Sequence, residues 1–256
     1  MTIRPYRIGQ IVPSSNTTME TEIPAMLRAR ETLYEDRFTF HSSRMRMRKV
    51  TPEELKAMNG ESLRCAAELA DARVDIMSTA CLIAIMAMGV GHHRRTEAEL
   101  TEVVRQNHCM APVMTSAGAL IESLKAMRAK RISLMAPYMR PLTDLVVKYI
   151  EHEGIEVVDS ICFEIPDNLK VGRRDPLQLV KDVERLNTHG VDVVVASACV
   201  QMPSLPALRL IEDRLGIPTV STAACTVHQM LTRLKLDPVV PGAGSLLAAG
   251  ETVRVG

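Results

Sequence analysis

The chain has 256 residues, 46% of them apolar, with three Phe, four Tyr, no Trp and sixteen Met, so its core is aliphatic and large enough for one big or two small α/β domains. Thirty-one basic against thirty acidic side chains leave a formal charge of +1, which offers no electrostatic footprint for nucleic acid or an anionic membrane. The longest apolar run, 82–90, is half of what a membrane helix needs, and residues 1–20 lack the apolar segment of a secretion signal, so the expected compartment is the cytoplasm.

In chain order, Ile8–Val12 reads as the first strand and is followed by a helical period over Met19–Arg30. The alternation continues with strand Phe38–Ser42, helix Pro52–Ala70, strand Val74–Ser78, helix Glu97–Gln106, strand Val113–Thr115 and helix Leu120–Ala129. The second half predicts strand Ile132–Met135, helix Leu142–Glu153, strand Glu156–Asp159, helix Leu177–His189, strand Val191–Ala196, helix Leu205–Leu215, strand Thr219–Ser221 and helix Thr226–Leu234. Such spacing is the grammar of parallel βαβ units, and a run such as Val191–Ala196 suits a strand buried on both faces.

The halves also repeat each other. Arg7–Pro13 aligns with Arg131–Pro137. Val74-Asp75-Ile76 leading to Thr79-Ala80-Cys81 aligns with Val191-Asp192-Val193 leading to Ser197-Ala198-Cys199, and 112–117 aligns with 218–223. The expected fold is therefore α/β, with two pseudo-symmetric lobes, each a mainly parallel sheet flanked by helices, and the site in the cleft between them. The expected boundaries are 1–117 with 230–256 for the first lobe and 118–229 for the second. Generic βα repetition is the plainer alternative.

In an open α/β sheet, ligands bind beyond the carboxyl ends of the strands. Cys81 and Cys199 both stand there, at equivalent places, and a pseudo-two-fold makes them face each other. A helix starting after each sulfur favours the thiolate, the only competent nucleophile. Burial as small hydrophobes is the alternative for any free Cys, and it is the reading preferred for Cys65, Cys109, Cys162 and Cys225. The loop Pro13–Thr18 has amides and hydroxyls to hold a carboxylate, or simply to cap the next helix. Tyr138 lies in the matching loop of the second half, and Asn168 in another loop after a strand.

Other motifs carry less. No C-x-x-C pair marks a metal or disulfide site, and the Gly89 and Gly242 regions lack the third glycine of a dinucleotide loop. There is no P-loop. His92–Arg95 reads as a solvated loop rather than a guide for an anionic substrate. Arg44–Lys49 reads as structure or interface, and is a weak candidate for a lid.

On Val12–Glu20, Ala80-Cys81-Leu82, Pro137-Tyr138, Asp167-Asn168 and Ser197–Pro203, the chain resembles maleate cis–trans isomerases of the aspartate/glutamate racemase superfamily over nearly its whole length. The first and last motifs are fairly specific; the two-residue ones have meaning through their order. The resemblance implies two pseudo-symmetric lobes, no cofactor and no metal. It implies a small dicarboxylate, maleate, as substrate and a homodimer or homotetramer as the assembly. It assigns Cys81 as nucleophile, Cys199 as second catalytic cysteine, and Asn16, Tyr138 and Asn168 as substrate-binding positions. Racemases of the superfamily carry Asn-Thr and Thr-His after their cysteines. Here Leu82-Ile83 and Val200-Gln201 stand there, which favours a plain dicarboxylate over an amino acid and adds these four to the expected substrate contacts. Two cysteines also argue against arylmalonate decarboxylase chemistry, which uses one. The implied reaction is isomerisation of maleate to fumarate through a succinyl–cysteine adduct. The alternatives are a two-cysteine racemase or epimerase of a small carboxylic acid, and a non-catalytic dicarboxylate-binding module.

Overall fold

The computed structural model describes residues 4–47 and 52–248. The first half contains β1 (Tyr6–Pro13), α1 (Met19–Arg30), β2 (Phe38–Met45), α2 (Pro52–Asp71), β3 (Ile76–Thr79), α3 (Leu82–Met86), α4 (His92–Gln106), β4 (Val113–Thr115) and α5 (Ser116–Ala126). The second contains β5 (Arg131–Ala136), α6 (Arg140–His152), β6 (Glu156–Cys162), α7 (Asn168–Gly172), α8 (Gln178–Asp182), β7 (Val193–Ser197), α9 (Leu205–Leu215), β8 (Thr219–Ser221) and α10 (Thr222–Arg233). They form two four-stranded sheets, all parallel, in the orders β2-β1-β3-β4 and β6-β5-β7-β8.

The two orders are the same when the halves are superimposed in sequence, and details repeat with them. Asp75 accepts the main-chain N–H of Arg7 at 2.7 Å, and Asp192 accepts that of Arg131 at 2.9 Å. Thr115 and Ser221, each the last residue of its lobe's last strand, cap the helix that follows by accepting the N–H of Gly118 and Ala224. These caps start α5 and α10 directly at the strand ends, four residues earlier than the apolar period predicts for each. β3, β4, β7 and β8 are buried throughout, whereas the edge strands β2 and β6 keep partly exposed positions. α10 follows the second sheet yet packs on α5, α1 and β3 of the first half, so one aliphatic core runs through both lobes.

Two expectations are corrected. His92–Arg95 is not a solvated loop but the first turn of α4, with Gly91 left-handed (φ 70°) before it. His93 is buried there, its N–H and Nδ1 both held by the Tyr149 hydroxyl from α6 at 3.0 and 2.5 Å. The partner lies 56 residues away, so no local pattern reveals it. The long helix expected over Leu177–His189 is only α8 and a 3-10 turn at Val183–Arg185. Asn187 then leaves the helical path because Asp159 accepts its N–H at 2.8 Å and Ser133 donates to its carbonyl at 2.6 Å. α3 and α7 were not anticipated, since five residues are too few to display a period.

Candidate active site

Loops at the carboxyl ends of six strands, from both sheets, line one small pocket. Its walls are Pro13 and Asn16 after β1, Met47 after β2, Cys81 and Ile83 after β3, Tyr138 after β5, Asn168 after β6, and Cys199, Val200 and Gln201 after β7. The structure thus brings together Cys81, Cys199, Asn16, Tyr138, Asn168, Ile83, Val200 and Gln201. Leu82 does not line the pocket; its side chain is fully buried in the core. Pro13 belongs to a loop already singled out. Met47 was noted only within the Arg44–Lys49 stripe; there, Met45 and Met47 both turn inward. Among the described residues, no charged side chain lines the pocket and no cluster fit for a metal ion exists.

Cys81 follows Ala80 between β3 and α3, and its backbone is left-handed (φ 82°, ψ 69°), unusual for a side chain with a Cβ. The conformation is held from both sides. Ala80 donates to Ile11 O at 2.9 Å, Ala84 and Ile85 donate to the Cys81 carbonyl, and the whole run Leu82–Met86 is buried. Cys81 is half-buried and lines the pocket, with protein packed around its thiol. Burial pushes the Cys81 thiol up to about 12, against the N–H of Ala84, with the nearby Cys199 adding to the rise. The expectation that a following helix favours the thiolate is outweighed by burial at Cys81, because a five-residue helix has little dipole to offer, and it fails at Cys199, where no helix starts before Leu205.

Cys199 is more deeply set, at 8% exposure. Ser197 Oγ braces its turn by donating to the carbonyls of Cys199 and Met202 at 2.8 and 3.0 Å. Burial raises this thiol as well, opposed by the Tyr138 hydroxyl and by the N–H groups of Gln201 and Met202. Tyr138 is itself buried, and burial followed by the two sulfurs holds its phenol far above the ordinary range. Its hydroxyl donates to Ala198 O at 3.1 Å and lies within reach of Cys199. One phenolic proton therefore has two acceptors, a carbonyl and, when Cys199 ionises, a thiolate. Among the described residues, only the N–H of Ala84, and no hydroxyl, is hydrogen-bonded to the Cys81 sulfur. The repeat makes the two thiols alike, and their surroundings make them different.

Asn16 shows how capping and ligand binding combine. Its Oδ1 accepts the N–H groups of Thr18 and Met19, both at 3.0 Å, at the start of α1. Its Nδ2 has no partner among the described residues, on a side chain that lines the pocket. Arg44, at the end of β2, ties this loop by donating to Asn16 O at 2.7 Å and Ser14 O at 3.1 Å and pairing with Glu20. Arg44 is thus a brace on a strand; Arg48 and Lys49 of the proposed lid lie outside the described residues. Across the pocket, Asp167 caps α7, and Asn168 Nδ2 donates to Ser15 Oγ at 2.8 Å. Of the remaining cysteines, Cys65, Cys109 and Cys225 are buried and Cys162 is half-buried, all away from this pocket.

A family model described as arylmalonate decarboxylase matches residues 8–247. A curated maleate isomerase of Pseudomonas putida is 60% identical over 243 residues, 95% of this chain and 97% of that protein. A crystal structure of a cysteine-to-alanine variant of a Pseudomonas putida maleate isomerase with maleate is 54% identical, with a TM-score of 0.95 over 96% of this chain and 98% of that one. A cysteine-to-serine variant of the Nocardia farcinica maleate cis–trans isomerase, with a covalently bound succinylcysteine intermediate, is 43% identical, with a TM-score of 0.93 over 97% and 100% of the two chains.

Proposed function

The chain belongs to the family of the arylmalonate decarboxylase model and, within it, to the maleate isomerases, and from that premise we propose that it converts maleate to fumarate by transient addition of Cys81 to the double bond. The observation that carries the reading is the pair of thiols on equivalent turns of the two lobes, in one pocket whose other polar groups are amides and a phenol. No cofactor enters the proposed steps.

Rotation about a C=C bond is prohibitively slow, so the bond must first become single. The Cys81 thiolate, formed by release of the thiol proton to solvent, adds to one vinylic carbon. The π pair moves to the neighbouring carbon and its carboxylate, an enediolate-like charge that the side-chain amides of Asn16 and Asn168 stabilise. The Cys199 thiol protonates that carbon, and the Tyr138 hydroxyl turns from Ala198 O to the thiolate left behind. The succinyl adduct rotates about its central bond. Cys199 recovers a proton from the CH2 carbon, the electron pair re-forms the double bond in the trans geometry, and Cys81 departs as the thiolate. Exposure at the pocket suits Cys81 to attack; the adjoining phenol suits Cys199 to exchange protons. Cytoplasmic location and a homodimer or homotetramer belong to the same reading; among the described residues, no helix is long and apolar enough to cross a membrane.

The test is maleate incubated with the reduced protein in D2O, followed by proton NMR, with Cys81→Ala and Cys199→Ala in parallel. Fumarate from the wild type and none from Cys81→Ala is expected, and deuterium in the product reports protonation of the adduct. An intact, reduced wild type that yields no fumarate would overturn the reading.

A further inference from the structure

Gln201 faces the pocket, yet its carboxamide has no hydrogen-bonding capacity left for a ligand. It is 2% exposed. Oε1 accepts the main-chain N–H groups of Thr17 at 2.9 Å and Thr18 at 3.3 Å. Nε2 donates to the carbonyls of Ser15 at 3.0 Å and Asn168 at 2.9 Å. Its own main-chain carbonyl accepts Thr18 Oγ1 at 2.7 Å. A planar amide has two donors and two acceptor lone pairs, and four protein groups take all of them.

The four groups belong to segments about 150 residues apart. Thr17 and Thr18 carry on from Asn16 in the first lobe; Asn168 is in the second; Gln201 is two residues from Cys199. We propose that Gln201 is a positioning residue, a single amide that fixes the Asn16 loop, the Asn168 loop and the Cys199 turn in one register. The direct bond from Asn168 Nδ2 to Ser15 Oγ runs between the same two loops, so it is aligned by the clasp.

α7 is shaped to admit this amide. A Cβ at Gly172 would overlap Gln201 Nε2 and come within 3.3 Å of Thr17 Oγ1. Gly172 itself does not line the pocket, so the clasp can be disturbed from behind without touching a ligand.

The experiment has an arm that does not depend on turnover. Amide hydrogen exchange is followed in the full chain for wild type, Gln201→Ala, Gln201→Glu and Gly172→Ala. In Gln201→Ala, 15–18 and 168–172 should loosen together while β3 and β7 stay protected. Gln201→Glu keeps the acceptor for Thr17 and Thr18 but loses both donors, so 168–172 should loosen more than 17–18. Loosening of neither loop, or of one loop alone in Gln201→Ala, would overturn the proposal. If Gln201→Ala exchanges everywhere because it does not fold, the same comparison is read from Gln201→Glu and Gly172→Ala. The kinetic arm rests on the isomerase reading. Misplacing the amide donors by an ångström predicts a loss of about 100-fold in kcat/KM for Gln201→Ala. If Gln201 acts through Asn168, Gln201→Ala should cost far less in an Asn168→Ala background; multiplicative losses would count against the clasp. A wild type without fumarate production would remove the isomerase reading and leave the exchange result standing.

Discussion

Cys81 sits at the point where chemistry and backbone strain meet. A non-glycine residue at φ 82° costs about 1–3 kcal/mol, and here that cost accompanies a thiol aimed into the pocket. Cys81→Gly and Cys81→Ala both delete the nucleophile, but only glycine relaxes the left-handed backbone. Urea unfolding should find Cys81→Gly more stable than Cys81→Ala by about 1 kcal/mol. A glycine variant no more stable than the alanine one would show that the neighbours, not the residue, bear the strain. The sulfur gives a second prediction. With the thiol pushed up to about 12, the thiolate fraction, and with it alkylation of Cys81 by iodoacetamide, should climb about tenfold per pH unit between pH 7 and 11. A plateau near pH 8 would mean an unperturbed thiol. The shift has a stability side of known sign: a thiol raised on folding contributes stability that is complete below its unfolded value near 8.5 and lost as pH rises toward 12. Cys225, buried in α10 and also pushed to about 12, should share in that alkaline loss.

Helix ends do much of the joining at the next scale up. Glu22, on α1, accepts the N–H groups of Ser204 and Leu205 at 2.5 and 2.7 Å and so caps α9 of the other half. Burial raises its carboxyl, and those same bonds oppose the rise. Glu22→Ala leaves two buried donors unpaired and should cost about 2–3 kcal/mol in urea unfolding, whereas Glu22→Gln keeps an acceptor and should cost less. Equal losses would show that shape rather than hydrogen bonding matters there. A cap supplied 182 residues away in sequence is invisible to a local reading, just as the Tyr149 hydroxyl under His93 is. The boundaries that were legible were those set by local signals, such as Met19–Arg30 with Glu20 and Glu22 in its first turn and Arg28 and Arg30 in its last.

The lobes of the whole molecule are tied together away from the pocket as well as at it. Arg94 on α4 of the first half pairs with Glu153, which caps α6 of the second, and Lys125 on α5 pairs with the same carboxylate. The Arg94 guanidinium, and after it Lys125, holds that carboxyl down at about 2 in spite of burial. A carboxyl lowered on folding contributes stability above its unfolded value near 4.3 and loses it as pH falls toward 2. The drop in Tm between pH 5 and pH 3 should therefore be shallower for Glu153→Gln than for the wild type; parallel acid limbs would exclude Glu153 from the joint.

The alternation of strands and helices, the repeat, and the two cysteines at equivalent strand ends are legible in the chain alone, because they follow from periodicity and order along it. The sequence singled out Asn16, Tyr138 and Asn168 through motifs that carry a family likeness. What distinguishes Cys81 from Cys199, a left-handed backbone on one side and a phenol on the other, was decided only by the tertiary structure, since both thiols end the same kind of strand. The same holds for Gln201, whose four partners are drawn from two distant loops, and for Leu82, which helix geometry turns into the core. Position along a strand is a local property; the partner that a side chain meets at the strand's end is not.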